Sequence, residues 1–141
     1  MAEELTLEIV TPEKLAFSGT VSEVTVTGTE GEFGVLIGHM PFLSAVAFGE
    51  LNYTKEGKKV YFAAGPGYAE VTESKVTIIV ETAETADAIN EDEVKKQKEE
   101  AEAQLSKLGK DDETYDKFAN ALRKAEVRMK VLEKKKGTEK H

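Results

Sequence analysis

The chain has few of the side chains that bind metals or form disulfides. Its 141 residues include no cysteine, and its only histidines are His39 and the last residue, His141. Without cysteine there is neither a disulfide framework nor a thiolate cage for a metal. Zinc sites draw most of their ligands from cysteine and histidine. We therefore expect no disulfide, no zinc site and no other metal centre.

Long apolar runs are also missing. The longest covers a few residues, far short of the roughly 20 that cross a bilayer. The opening residues, MAEEL, are acidic and show neither the basic nor the apolar part of a signal or transit peptide. The sequence thus predicts a soluble intracellular protein.

Positive charge is scarce overall but concentrated near the end of the chain. The formal net charge is -8, which argues against nucleic-acid binding because phosphate contacts need a basic face. The net charge is -8 over residues 1–86, -6 over residues 87–116 and +6 over residues 117–141. The last segment is therefore a basic element on an acidic protein.

Apolar residues alternate with polar ones up to about residue 84. Clear examples are LTLEIV (5–10), SEVTVTG (22–28), KKVYFAAG (58–65) and KVTIIV (75–80). Turn signals separate these runs, among them Thr11-Pro12 and Gly65-Pro66-Gly67. Many short strands with no helical period predict an antiparallel sandwich or barrel.

After residue 87 the composition shifts to Ala, Glu, Lys, Gln and Leu, which favour helix. Asn90 and Glu93 are spaced as an N-terminal cap, Gly109 predicts the end of the first helix, and Asp111/Asp112 predict the cap of the second. One apolar stripe is expected on each helix. The stripes are Val94, Ala101, Leu105 and Leu108, then Phe118, Leu122, Ala125, Met129 and Leu132.

We therefore predict an α+β protein, an N-terminal antiparallel β-sandwich followed by a C-terminal antiparallel two-helix hairpin. The sandwich would span residues 1–86, the hairpin residues 87–136 and a disordered tail residues 137–141. A hairpin of this composition is marginal, because its ordering cost of roughly 1.5 kcal/mol per residue nearly cancels its apolar burial. It must dock on the sandwich or on another protein.

No catalytic constellation is present. The sequence has no G-x-x-x-x-G-K-[ST], G-x-G-x-x-G, H-E-x-x-H or G-x-S-x-G motif. A lone His39 beside proline is a poor general base. We expect no catalytic residue and no cofactor, and favour a scaffold or coupling protein over an enzyme.

Two segments are candidate contact surfaces. GEFGVLIGHMPFLS (31–44) combines glycines that permit positive φ with several apolar residues, and it is either self-packed or a docking surface. On a helical wheel, Arg123, Lys130 and Lys134 lie opposite the apolar stripe, and Lys124, Arg128 and Lys135 form one flank. This basic face is either solvated or a dock for an acidic partner.

Several stretches together resemble the epsilon subunits of bacterial and plastid rotary F-type ATP synthases. GEFGVLIGHMPFLS is similar to that family's G-x-x-G-x-L-P-G-H-x-P-L segment. Further matches, in the family's order, are LTLEIVTPE (5–13), SEVTVTGTEGEFG (22–34), FAAGPGYAEV (62–71), KVTIIVETAE (75–84) and RMKVLEK (128–134). The resemblance covers nearly the full length.

The resemblance implies a ten-stranded sandwich, a two-helix hairpin and a place in the central stalk. It implies that the sandwich binds the gamma subunit and the polar loops of the proteolipid c-ring, and that the chain meets the membrane only through the complex. The expected ring-contact residues are Glu32, Phe33, His39, Met40 and Phe42. The expected location is the cytoplasmic face of the inner (plasma) membrane, in preference to a plastid thylakoid.

The family's hairpin folds against the sandwich or extends toward the catalytic subunits, where it impedes ATP hydrolysis. The resemblance then implies that its basic second helix meets an acidic loop of the beta subunit. The residues that align with that contact are Arg123, Lys124, Arg128, Lys130 and Lys134.

Two departures from the family pattern change the expectations. ATP-binding members carry I/L-D-x-x-R-A, but here Ile89, Asn90, Glu93 and Val94 stand in a degenerate version of that motif, with Arg128 retained on the second helix. A glutamate in place of a phosphate-facing arginine is repulsive, so we predict weak or no ATP binding. Ile37 replaces the usual proline and is expected to leave function unchanged.

Three hypotheses follow. The leading one is a non-catalytic rotor subunit with a regulatory hairpin. The second is a small-molecule sensor in which the hairpin clamps ATP onto the sandwich, and micromolar ATP affinity would favour it. The third is an enzyme.

Overall fold

The first half of the chain forms β-strands joined by short turns, as the period-two pattern predicts. A computed structural model describes residues 4–139. The strands are β1 (Leu5–Val10), β2 (Leu15–Val21), β3 (Glu23–Gly28), β4 (Gly31–Val35), β5 (Phe42–Val46), β6 (Gly49–Lys55), β7 (Lys58–Ala64), β8 (Gly67–Val71), β9 (Lys75–Val80) and β10 (Ala83–Thr85). The predicted sandwich is confirmed.

The strands hydrogen-bond in the order β10-β7-β6-β3-β5-β8-β9-β1-β2, with β4 paired to β3. The two halves of this order meet at a single residue pair, Gly28 with Val46. Neighbours are antiparallel except β1 and β9, which run parallel. The sequence predicted antiparallel pairing throughout. Parallel neighbours require a long connection, and most of the sandwich lies between these two strands.

Alternation along each strand builds the core. Leu5, Leu7 and Ile9 of β1 are fully buried, and so is Ile78 of β9. Phe17 of β2 stacks on Tyr53 of β6 with ring centroids 4.3 Å apart. Since β2 and β6 are far apart in the strand order, this contact shows that the two halves of the sheet face each other across the core.

A 3₁₀ turn (Ala86–Ala88) leads into α1 (Glu91–Lys107) and α2 (Tyr115–Glu139). Asn90 is the N-cap of α1, and its side chain accepts a hydrogen bond from the backbone N–H of Glu93 at 2.9 Å, as predicted. The predicted cap at Asp111/Asp112 is wrong. The Asp112 carboxylate accepts from the Thr114 N–H at 2.8 Å and so closes a turn before α2 begins.

The C-terminal boundary also differs from the prediction. The sequence predicted a disordered tail over residues 137–141, yet α2 continues through Glu139. The run of lysines at 134–136 is compatible with helix, and cations suit a helix C-terminus. Residues 140 and 141 lie outside the described part of the chain.

The hairpin is packed on the sandwich through α2. A second apolar cluster joins the two units, and its buried members are Phe48, Ala63, Ala86, Ile89, Val94, Ala125, Val131 and Leu132. Val131 is fully buried, although it lies off the single stripe predicted for this helix. The stripe was incomplete because α2 has two neighbours, α1 on one side and β6 and β7 on the other.

Within residues 4–139, neither helix contains an apolar stretch of the length and hydropathy needed to cross a membrane.

Candidate functional site

The loop between β4 and β5 is partly self-packed and partly exposed. Phe33 and Phe42 pack against the sandwich core and meet edge to face at 5.3 Å. His39 lies 5.0 Å from the Phe42 ring, and one of its ring nitrogens lies 2.9 Å from the Met40 carbonyl oxygen. Met40 itself is 78% exposed. Self-packing therefore describes Phe33 and Phe42, while docking through the exposed residues stays a prediction.

Two glycines shape this loop as expected. Gly31 has φ +126° and Gly38 has φ +82°, a backbone region that disfavours other residues. The Gly38 N–H also donates to the Glu73 carbonyl at 2.9 Å, which ties the loop to the turn between β8 and β9. Leu36, which is 57% exposed, adds exposed apolar area to this loop, although it is not among the expected ring-contact residues.

Glu32 is separated from the other predicted ring-contact residues. It alternates with Phe33 along β4, so the two side chains point to opposite faces of the strand. Glu32 lines a polar pocket with Glu50 of β6 and Lys134 of α2. The structure thus groups Phe33, His39, Met40 and Phe42 and places Glu32 beside the end of the hairpin.

A row of apolar side chains crosses the outer face of five strands. Cross-strand pairing links Ala45 with Tyr68, Tyr68 with Ile79, Ile79 with Val10, and Val10 with Leu15. We call these five residues the apolar row. Tyr68 is 61% exposed, Ile79 56% and Leu15 55%, while their strand neighbours Ala69 and Ile78 are fully buried.

The apolar row borders a shallow groove of about 640 Å³. Pro12 and Pro66 lie at its edges. An exposed apolar surface of this kind on a well-packed domain marks an interaction site. The sequence contained the signal, because Tyr68 and Ile79 interrupt the polar positions of their strands, but only the pairing register places them side by side.

The basic face of α2 lies largely against the sandwich. Val127 and Val131, four residues apart, form the centre of this contact, and cations flank them on both sides. Arg128 donates to a Glu84 carboxylate oxygen at 3.0 and 2.8 Å, and Lys134 lies 2.6 Å from a Glu50 oxygen.

Phe48 receives further cations from α2. Lys124 and Arg128 lie 5.6 and 5.3 Å from the centre of its ring. Arg123 donates to the Phe48 carbonyl oxygen at 3.3 Å. Cation–π contacts of this kind contribute roughly 0.5–1 kcal/mol at partly exposed sites. The helical wheel placed Arg123 and Lys134 opposite the apolar stripe and did not anticipate that this side of the helix also packs on the sandwich. Lys130 is exposed.

The end of α2 makes two more ion pairs, one with the 3₁₀ turn and one with the first residue of α1. Lys135 pairs with Asp87, and Lys136 donates to Glu91 at 2.8 Å. Hydrogen bonding to Lys136 lowers the pKa of Glu91. Hydrogen bonding to Glu50 raises the pKa of Lys134, against the opposing effect of burial. Both pKa shifts favour the charged forms. The Glu91–Lys136 pair joins the two helices, and the Glu50–Lys134 pair joins α2 to the sandwich.

The degenerate nucleotide motif forms a small recess. Glu84, Ile89, Asn90, Glu93, Val94 and Arg128 are among the residues that line a space of about 190 Å³. Drug-sized ligands occupy pockets of about 300–1,000 Å³. Arg128 is already paired with Glu84, and Asn90 caps α1. Among residues 4–139 no group of acidic and histidine side chains is arranged to hold a metal ion.

Comparisons with known proteins agree along the whole chain. The model of the β-sandwich domain of the ATP synthase delta/epsilon chain matches residues 4–86. The model of the long α-helix domain of the same chain matches residues 87–133.

Curated relatives match at similar length. The ATP synthase epsilon chain of Geobacter sulfurreducens is 47% identical over 134 residues, which cover 95% of this chain and 97% of the relative. That of Geotalea uraniireducens is 46% identical with the same coverage. That of Nitratidesulfovibrio vulgaris is 44% identical over 131 residues, or 93% of this chain and 97% of the relative.

Solved structures show the same architecture. A chain of the Euglena gracilis mitochondrial ATP synthase, in a structure of OSCP, F1 and the c-ring, matches with a TM-score of 0.70 and 25% identity, covering 94% of this chain and 79% of that one. A chain of the central stalk and c-ring of the Tetrahymena thermophila enzyme matches with a TM-score of 0.57, covering 91% and 96%. At 16% identity the second likeness concerns the fold alone. With two family models and near-full-length relatives in agreement, this chain belongs to the ATP synthase delta/epsilon-chain family.

Proposed function

We propose that this chain is a non-catalytic central-stalk subunit of an F-type ATP synthase. In that role it holds the rotor together while ion translocation through the membrane ring is coupled to ATP synthesis. The observation that carries the proposal is the apolar row, a surface of five apolar residues on the outer face of the sheet that the hairpin leaves uncovered. Family membership identifies the complex in which a partner is found.

The gamma subunit is the proposed occupant of the apolar row. The row crosses β5, β8, β9, β1 and β2, whereas α2 packs on β6 and β7 of the other half of the strand order. A partner on the row therefore does not compete with the hairpin for surface. Large apolar and aromatic side chains such as Tyr68 and Ile79 are the usual centres of protein interfaces.

The first test is co-purification with the gamma subunit. Ile79→Asp places a charge in the centre of the row and should weaken the complex at least about 30-fold, since central interface positions contribute roughly 2 kcal/mol or more. Lys58→Asp introduces the same side chain on an exposed position of β7 and should leave affinity unchanged. Equal affinities for the two variants, or no complex with the unsubstituted chain, would refute this assignment.

The loop after β4 is the proposed contact with the c-ring. Met40 and His39 are exposed at its tip, and Phe33 and Phe42 support it from the core side. Glu32 points to the opposite face of β4 and is left out of the proposed contact. The chain would then sit at the cytoplasmic face of the inner membrane, peripheral and held there through the complex, rather than at a plastid thylakoid.

The hairpin is the proposed regulatory element. When extended, its basic helix would reach an acidic loop of the beta subunit and impede ATP hydrolysis. Arg123, Lys124, Arg128 and Lys134 would have to leave their contacts with the sandwich first. The same cations therefore serve two alternative acidic or aromatic partners.

ATP is not a proposed ligand. The recess at the degenerate motif is small, Arg128 is neutralised by Glu84, and Glu93 would repel phosphate. Isothermal titration of the isolated chain with ATP should give no saturable heat below the millimolar range. Micromolar affinity would instead favour a nucleotide sensor.

A further inference from the structure

Glu50 is a buried carboxylate in the middle of the surface that the hairpin covers. The residue is 4% exposed, and its neighbour on the same face of β6, Asn52, is 5% exposed. One Glu50 carboxylate oxygen accepts from the Asn52 side-chain amide at 2.7 Å. The other lies 2.6 Å from Lys134 Nζ on α2. Strand alternation explains the position, because Leu51 and Tyr53 face the core and Glu50 and Asn52 face α2.

The burial of Glu50 is conditional on the position of α2. A carboxylate that loses its water needs a compensating charge, because the desolvation penalty otherwise exceeds what hydrogen bonding returns. The compensating charge is carried by α2 itself. The helix therefore cannot cover Glu50 favourably unless Lys134 arrives at the same time.

The two partners differ in how much each depends on the other. The Glu50 side chain is 2% exposed, whereas that of Lys134 is 41% exposed. Without Glu50, Lys134 can turn its ammonium group toward water on its flexible stem. Without Lys134, Glu50 remains enclosed by the helix with an uncompensated charge. The pair is thus asymmetric.

We propose that Glu50 and Lys134 form a latch that sets the strength of hairpin docking. A shift of one helical turn would bring Val127 and Lys130 to the places of Val131 and Lys134, so the ion pair does not select the register by itself. That shift would also put Arg128 in the place of the buried Leu132, so the apolar cluster fixes the register. The latch controls how readily the hairpin is released from the sandwich. Its effect on ATP hydrolysis rests on the proposed function, in which the released hairpin inhibits hydrolysis.

The latch predicts an unequal pair of single substitutions. The measured quantity is the slowing of hydrogen exchange at the backbone amides of residues 118–136 in the isolated full chain. We call it α2 amide protection. Lys134→Met should lower this protection by about tenfold or more, because it leaves a buried charge unpaired. Glu50→Gln should lower it by at most about threefold, since a neutral amide still bonds Asn52 and the lysine remains solvated.

The double variant Glu50→Gln/Lys134→Met gives the decisive comparison. With both charges gone, protection should return to within about threefold of the original, because an apolar side chain over a neutral amide avoids the buried charge. An ordinary surface ion pair predicts equal single effects and no such recovery. Lys130→Met is the matched control, an exposed lysine of the same helix, and should change nothing.

Exchange in β1 and β9 reports whether the sandwich stays folded in each variant. A Lys134→Met effect below about threefold, equal effects of the two single substitutions, or failure of the double variant to recover would each overturn the latch. ATP hydrolysis by the assembled complex separates the latch from the proposed function. If exchange behaves as expected and Val131→Ala, which loosens docking but keeps every cation of α2, leaves hydrolysis unchanged, the latch stands and the proposed inhibition of hydrolysis by the hairpin is refuted.

Discussion

Individual side chains at the sandwich–hairpin contact have two kinds of role. Val131 and Phe48 supply apolar area, while Glu50, Glu84 and Asp87 supply charges that meet cations of α2. Exposed ion pairs contribute little, about 0–1 kcal/mol each. Burial of apolar area therefore provides most of the docking energy and determines where the helix sits, and the charged residues add to how firmly it is held.

Val131→Ala tests the apolar part of this contact. Removing two methyl groups from a fully buried position should lower the free energy of hairpin docking by about 2 kcal/mol. Val127→Ala, at a half-buried position on the same face, should cost less. Urea titration followed by the helical circular dichroism signal measures both. An earlier loss of helix for Val127→Ala than for Val131→Ala would contradict the assigned geometry.

At the scale of the element, α2 is a helix with two apolar faces and cations between them. One face meets α1 and the other meets β6 and β7. Lys130 is exposed, whereas Arg123, Lys124, Arg128 and Lys134 contact the sandwich. Reversing the charge of those four would disturb docking as well as any contact with the beta subunit.

Lys130→Glu therefore gives a cleaner test of the proposed inhibition of ATP hydrolysis by the extended hairpin. It changes the charge that an extended helix offers to an acidic loop while keeping the observed contacts with the sandwich. Hydrolysis by the assembled complex should rise, because like charges at the contact repel each other. Glu133→Gln, an exposed position on the same helix, serves as the control and should not raise it. Unchanged hydrolysis for Lys130→Glu would mean that this part of the helix contacts no acidic partner.

At the scale of the whole molecule, the sandwich has an apolar core of its own, whereas the hairpin shares its apolar cluster with the sandwich. The sandwich core contains only residues of the sandwich. The hairpin contributes to a separate cluster that includes Phe48 and Ala63 of the sandwich. The two units therefore differ in what each needs in order to stay folded.

Deleting residues 88–141 should leave a folded sandwich that still binds the gamma subunit. Loss of α2 exposes Phe48 and Ala63, so the truncated chain should self-associate more readily than the full chain. Amide chemical-shift dispersion measures folding, and light scattering measures association. A truncated chain without dispersed signals would show that the sandwich depends on the hairpin.

The sequence by itself determined the elements and their order. Period-two alternation located strands such as Leu5–Val10 and Lys75–Val80, and helix-forming composition with Asn90 at the cap located α1. These features could be predicted because they arise from local backbone geometry and from whether each position is buried or exposed. The family motifs extended the prediction to ten strands.

Only the tertiary structure decided how the surfaces are composed. Alternation shows that Ile79 points outward, but the register of two strand pairs was needed to place it between Tyr68 and Val10. The helical wheel assigned Lys134 to an outer face, and packing on β6 and β7 turned that face inward onto Glu50. The physical reason is the same in both cases, since long-range contacts depend on which elements become neighbours, and no local pattern carries that information.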